Sequence, residues 1–130
     1  MAGKVTVEVD LAKYKYVDLP AEEALKLLEI ISEEFGRRTQ DVMEAIRYIR
    51  NFEEFYEYMR KKFKDYIAPP KKPDDFIKGV VVVDKLKLYK SEGGERRVVI
   101  VFDRRFDLEK LKEALKKLGY EEVEVKKAML

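Results

Sequence analysis

The chain has 130 residues, 46% hydrophobic and 42% charged, with 28 basic side chains against 26 acidic ones and neither cysteine nor histidine. That is the length of one domain able to bury a core without cross-links, and a single domain over 1–130 is expected. Lacking cysteine, it has no disulfides, thiolate metal sites or thiol catalysis. No apolar run approaches the roughly 20 residues of a membrane-spanning helix. An alternating strand begins directly after Lys4, so no signal peptide and a cytoplasmic location are expected.

Asn51 and Gln40 are the only side-chain amides, while Lys, Arg and Glu are abundant. Such a charged composition, poor in thermolabile residues, is that expected of a thermophile protein.

Val5, Val7, Val9 and Leu11 alternate with Thr6, Glu8 and Asp10, the pattern of a half-buried strand. The phase then flips to Ala12, Tyr14 and Tyr16, for which a bulge near Leu11 or Ala12 is expected. After Asp18-Leu19-Pro20 a helix opens at Ala21, with Glu22 and Glu23 in its positive first turn. Ala24, Leu27, Leu28, Ile31 and Phe35 form its apolar stripe, and Gly36 suits the position after its end.

Residues 40–67 carry apolar and aromatic side chains at alternating steps of three and four: Val42, Ala45, Ile49, Phe52, Tyr56, Met59, Phe63 and Tyr66. With no Gly or Pro inside, this predicts one long helix of roughly 40 Å, capped by Thr39. Residues 68–79 are rich in Pro and Lys and read as a stiff connector between 1–67 and 80–130.

Two strands, 80–89 and 97–103, flank Gly93-Gly94. A three-residue loop over 93–95 sets Glu92 opposite Arg96, Lys85 opposite Asp103 and Asp84 opposite Arg104, and pairs Leu86 with Phe102 and Leu88 with Ile100. Loops one residue shorter or longer oppose like charges, so this register is preferred. A helix capped by Asp107 follows, with Leu108, Leu111, Leu115 and Leu118 inward, Gly119 at its end and a last strand at Val123 and Val125.

The predicted order is β-α-α-β-β-α-β, an α+β class. With the second helix as an insertion it is a ferredoxin-like (split βαβ) four-stranded sheet carrying an additional long helix, strand 97–103 being central.

No side chain titrates near neutral pH and no glycine-rich phosphate loop is present, so no catalytic residues, cofactor or metal are expected and a non-enzymatic role is favoured. Asp84 and Asp103 are the best carboxylate pair for a hard cation, but that register gives each a basic neighbour and an ion pair instead.

The charge distribution is uneven. Residues 1–57 hold 8 basic and 13 acidic side chains, 58–105 hold 14 and 7, and 106–130 hold 6 and 6. The basic block centres on the hairpin. Lys85, Lys87, Tyr89 and Arg97 fall on one side of it, with Arg96, Arg104 and Arg105 nearby and Lys71 and Lys72 assisting. This pattern suits phosphate contacts with DNA or RNA. Strand 97–103 lacks the stacking rings of an RNA-recognition motif, offering aliphatics in their place.

The alternative reading is an adaptor or homodimer joined through the long helix. Ile49, Phe52, Phe55, Tyr56, Met59 and Phe63 would form that interface, because the seam is wider than one small sheet covers.

Overall fold

A computed structural model describes residues 3–128. Strand β1 (Lys4–Val9) turns into β2 (Lys15–Pro20), which leads into helix α1 (Ala21–Glu33). Helices α2 (Gln40–Arg50), α3 (Phe52–Lys61) and the short α4 (Pro73–Lys78) follow. Strands β3 (Val83–Lys90) and β4 (Arg96–Phe102), helix α5 (Leu108–Leu118) and strand β5 (Glu122–Lys127) complete the chain. The strands form one mixed sheet in the order β3-β4-β2-β1-β5, with β1 and β5 parallel and the other neighbours antiparallel.

The α+β class holds, but the four-stranded split βαβ sheet does not. The phase flip near Leu11 is a hairpin turn, not a bulge, and the resulting extra strand β1 is wedged between β2 and β5. Asp10 makes that turn without a glycine. Its Oδ1 accepts from the N–H of Ala12 (2.9 Å) and Tyr14 (3.0 Å), and Lys13 takes φ +75°. This is an Asx-type turn, in which a short carboxylate replaces backbone partners. The middle strand is therefore β2, and β4 is interior between β2 and β3.

Residues 40–67 do not form one helix. Asn51, at φ −112° and ψ +48°, breaks the run, and its side-chain amide donates to Arg47 O (2.9 Å). The break lets α2 pack on α1 and β3 while α3 turns along β3. α3 stops at Lys61, where Phe63 takes φ +52° and Lys64 N–H donates back to Met59 O (2.9 Å). Thr39 stands at the N-cap of α2, but its hydroxyl makes no cap bond.

The connector is also more structured than a stiff link. Ile67 exchanges both backbone bonds with Leu86 (2.8 and 2.9 Å), tying the outer edge of β3. Lys72 and Pro73 then start α4, which Gly79 ends at φ +71°.

One apolar cluster lies between the helices and one sheet face. Val5, Val7, Val17, Leu19, Leu86, Leu88, Val98, Ile100 and Phe102 meet Leu27, Leu28 and Ile31 of α1, Val42, Ala45 and Ile49 of α2, and Leu111 and Leu115 of α5. Each fully buried aliphatic side chain here contributes roughly 1.5–3 kcal/mol. Alternation then sends Lys4, Thr6, Glu8, Tyr16, Asp18, Lys85, Lys87, Tyr89, Arg97, Val99 and Val101 to the opposite face, which no helix covers among the described residues, although Val101 is buried there by its neighbours. Lys15, on the core side, is buried and donates its ammonium to Arg104 O (2.9 Å) and Phe106 O (2.7 Å).

Candidate nucleic-acid interface

The β3–β4 hairpin closes through Glu92, Gly93 and Gly94. Ser91 N–H donates to Glu95 O (2.9 Å), and Gly94 sits at φ +82°. A three-residue hairpin ends in a left-handed residue, and that place falls to Gly94 rather than Glu95. The expected loop therefore moves one position and the register two. Lys90 opposes Arg96, Lys85 opposes Val101, and Leu86 and Leu88 face Ile100 and Val98. An even shift keeps every side chain on its face, so the apolar pairing survives with different partners.

The charge pairs do change. Lys90 and Arg96 face each other, and Glu53 of α3 joins both, at 2.9 Å and 2.7 Å. The expected pairs of Asp103 with Lys85 and Asp84 with Arg104 do not form. Asp103 instead accepts from the N–H of Arg105 (2.8 Å) and pairs with its guanidinium, while Asp84 lies at the irregularity between Val83 and Lys85.

Of the nine residues drawn from the sequence, the structure brings four together. Lys85, Lys87 and Tyr89 of β3 and Arg97 of β4 share the uncovered face. Arg96 points to the helix side, over the Phe52 ring at 5.6 Å. Arg104 and Arg105 lie at the far end of β4, and Arg105 is held by Asp103, Phe76 O and the Phe76 ring. Lys71 lies beside β3, its ammonium on Pro69 O and Asp84 O (both 2.9 Å). Lys72 is exposed ahead of α4.

Within the shared four, charge is distributed unequally. Arg97 is paired twice, with Asp18 at 3.1 Å and Glu95 at 2.6 Å. Burial works against its charge, but these bonds hold the guanidinium protonated beyond its ordinary range. Tyr89 donates its hydroxyl to Asp18, and burial followed by that bond raises its pKa. Among the described residues no carboxylate lies within 4 Å of the Lys85 or Lys87 ammonium. Each lies near a ring instead, Lys85 over Tyr66 at 4.5 Å and Lys87 over Tyr89 at 5.8 Å.

Two members of this surface were not singled out from the sequence. Tyr66, read as part of the helical seam, stands beside Lys85 because the chain leaves α3 and runs along the edge of β3. Tyr16 flanks Val101 on the other side. Its hydroxyl donates to Asp10 (2.8 Å), and burial with that bond pushes it up to about 12. The rings missing from β4 are thus supplied by its neighbours. The alternation of Tyr16 and Asp18 with Val17 and Leu19 was the available signal, hidden once residues 12–16 were read as one strand continuing past a bulge.

A shallow groove continues the surface toward β1, lined by Lys4, Thr6, Glu8, Tyr16, Asp18 and Arg97. Among the described residues no group of three acidic side chains is placed to hold a metal ion. The helical-seam residues are divided. Ile49, Phe52 and Met59 fill the chain's own core, Phe55 and Tyr56 pack partly against it, and Phe63 is 96% exposed. No helix among the described residues is long and apolar enough to cross a membrane.

Comparison with models of protein families, with curated proteins and with solved structures finds no match.

Proposed function

We propose that the chain is a non-enzymatic module that binds nucleic acid through the uncovered face of β3 and β4. The observation that carries this reading is the pair Lys85 and Lys87, two cations without a carboxylate partner among the described residues, each set beside a tyrosine ring. A backbone phosphate can replace water on such ammonium groups without breaking an internal ion pair, and a base can stack on the neighbouring ring. Val99, half-buried, gives the strip between them an apolar floor, and Val101 is buried beneath the neighbouring side chains.

The test is fluorescence anisotropy with short single- and double-stranded DNA and RNA at about 50 and 200 mM salt. Binding should weaken steeply with salt. Lys85→Ala with Lys87→Ala should lower it for every sequence and reduce the salt slope by about 2. Absence of binding at the lower salt removes the reading.

The charge-rich, amide-poor composition supports a thermophile setting for this module. A melting midpoint below about 65 °C, within the mesophile range, counts against it.

A further inference from the structure

The two edges of the sheet are treated differently. The outer edge of β3 is tied by Ile67 and by the Lys71 ammonium on Asp84 O. Along the outer edge of β5 no strand pairs among the described residues. Such an edge offers a row of backbone donors and acceptors to another strand.

Its hydrogen-bonding phase can be read directly. Glu122 N–H donates to Gly3 O and Ala128 N–H to Val9 O. Even-numbered residues of β5 therefore turn their backbone groups toward β1, and Val123, Val125 and Lys127 turn theirs outward. Val125 is also 41% exposed, a large share for a valine on the core side of a sheet.

We propose that this edge pairs antiparallel with the β5 of a second copy, centred on Val125. Outward-facing residues must meet outward-facing residues, so only registers centred on one residue of β5 and its symmetry mate, or shifted by whole pairs, are allowed. Centring on Glu124 opposes two glutamates, and centring on Lys126 opposes two lysines. Centring on Val125 sets Glu124 opposite Lys126 in both halves, at the close non-hydrogen-bonded positions where side chains approach most nearly. On the other face Val125 meets Val125, covering the exposed side chain. Glu124 is already held as a carboxylate by Lys4 (3.2 Å) and Lys126 (3.5 Å) of its own chain, so the added lysine meets an ionised partner.

This register leaves both helical layers on the same side of a continuous ten-stranded sheet. The two Lys85–Lys87 strips then share the opposite face, about 40 Å apart at the usual strand spacing. The proposal does not depend on those strips binding anything.

Sedimentation equilibrium of the full chain from about 10 µM to 1 mM tests it. A strand-edge interface is small, so a dissociation constant on the order of 100 µM is expected. Val125→Pro removes an outward N–H that the monomer does not use; it should leave circular dichroism unchanged and abolish the dimer. Glu124→Lys should weaken association about tenfold or more, and adding Lys126→Glu should restore it. A wild-type chain monomeric at 1 mM overturns the proposal, as does a dimer that survives Val125→Pro, which includes any dimer built on the helical face. Should Val125→Pro fail to fold, unchanged association of Glu124→Lys overturns it equally.

Discussion

Asp41 Oδ2 accepts the backbone N–H of Val83 at 2.7 Å, and of Val82 beside it at 2.8 Å, with the aspartate fully buried. One carboxylate in the first turn of α2 thereby fixes where the chain enters β3, and β3 carries Lys85, Lys87 and Tyr89. Its position also favours negative charge, since it faces the positive end of α2. The sequence suggests only this dipole role; the clamp on β3 depends on a contact 41 residues away.

Asp41→Ala leaves two buried N–H groups without partners, each costing roughly 1–3 kcal/mol. The expected loss is about 3 kcal/mol, seen as a lowered urea midpoint with unchanged slope. Asp41→Asn keeps one acceptor oxygen and should lose about half as much. An alanine variant within 0.5 kcal/mol of wild type would show that the clamp contributes little.

Glu53 lets two cations face each other at the loop end of the hairpin. The hydrogen bond from Lys90, opposed by desolvation and aided by Arg96, lowers its pKa below the usual 4.5. A depressed acid stabilises the fold above its unfolded value, and that contribution disappears as pH falls through the folded one. Glu53→Gln should therefore be less stable than wild type at pH 7, with the gap closing as pH falls below the usual 4.5. Urea midpoints of both proteins between pH 3 and 7 check this; a gap independent of pH assigns the effect to packing. Because the site is exposed, the difference should be small and should shrink with salt.

The sequence made local periods legible and left their interruptions hidden. The stripe of α1, the Asp107 cap of α5 and the glycine at its end are present as read, since each depends on a few neighbouring residues. The β1–β2 turn escaped because Asp10 and Lys13 make it without Gly or Pro, so the phase flip looked like a bulge. The break at Asn51 escaped because heptad spacing continues through it; two helices on one core keep the same spacing as one long helix. The hairpin register erred by two residues because charge pairing was weighed between two strands, whereas Glu53 enters from a helix. On the candidate surface, parity alone placed Lys85, Lys87, Tyr89 and Arg97 together. The pairing of Arg97 with Asp18 and the arrival of Tyr66 needed the tertiary structure.

Phe63 follows α3 in the left-handed position where glycine is usual, and it is almost fully exposed. An ordinary residue held there costs roughly 1–2 kcal/mol, partly offset by the greater unfolded freedom of glycine. Phe63→Gly should therefore stabilise the chain by about 0.5–1 kcal/mol although it deletes a large apolar side chain. A loss of stability would mean that the ring packs in solution, and a loss of self-association would give the helical seam a role that the core packing of Ile49, Phe52 and Met59 does not suggest.

Asp18 accepts from both Arg97 and Tyr89 and so withholds one cation from the uncovered face. If phosphates are bound there, neutralising Asp18 changes the interface in a predictable direction. Asp18→Asn retains an acceptor for the tyrosine but leaves Arg97 in an ion pair only with Glu95, at the loop end of the hairpin. Affinity for single-stranded nucleic acid should rise severalfold at about 50 mM salt, and the salt slope should steepen by up to about 1, the signature of one additional phosphate contact. Tyr66→Ala should act oppositely and without changing the slope, weakening single strands by about 1–3 kcal/mol through lost stacking and duplexes much less. Anisotropy titrations on both variants at two salt concentrations separate the effects. If Asp18→Asn leaves affinity and slope unchanged while Lys85→Ala lowers both, the phosphate path keeps to β3 and does not reach Arg97.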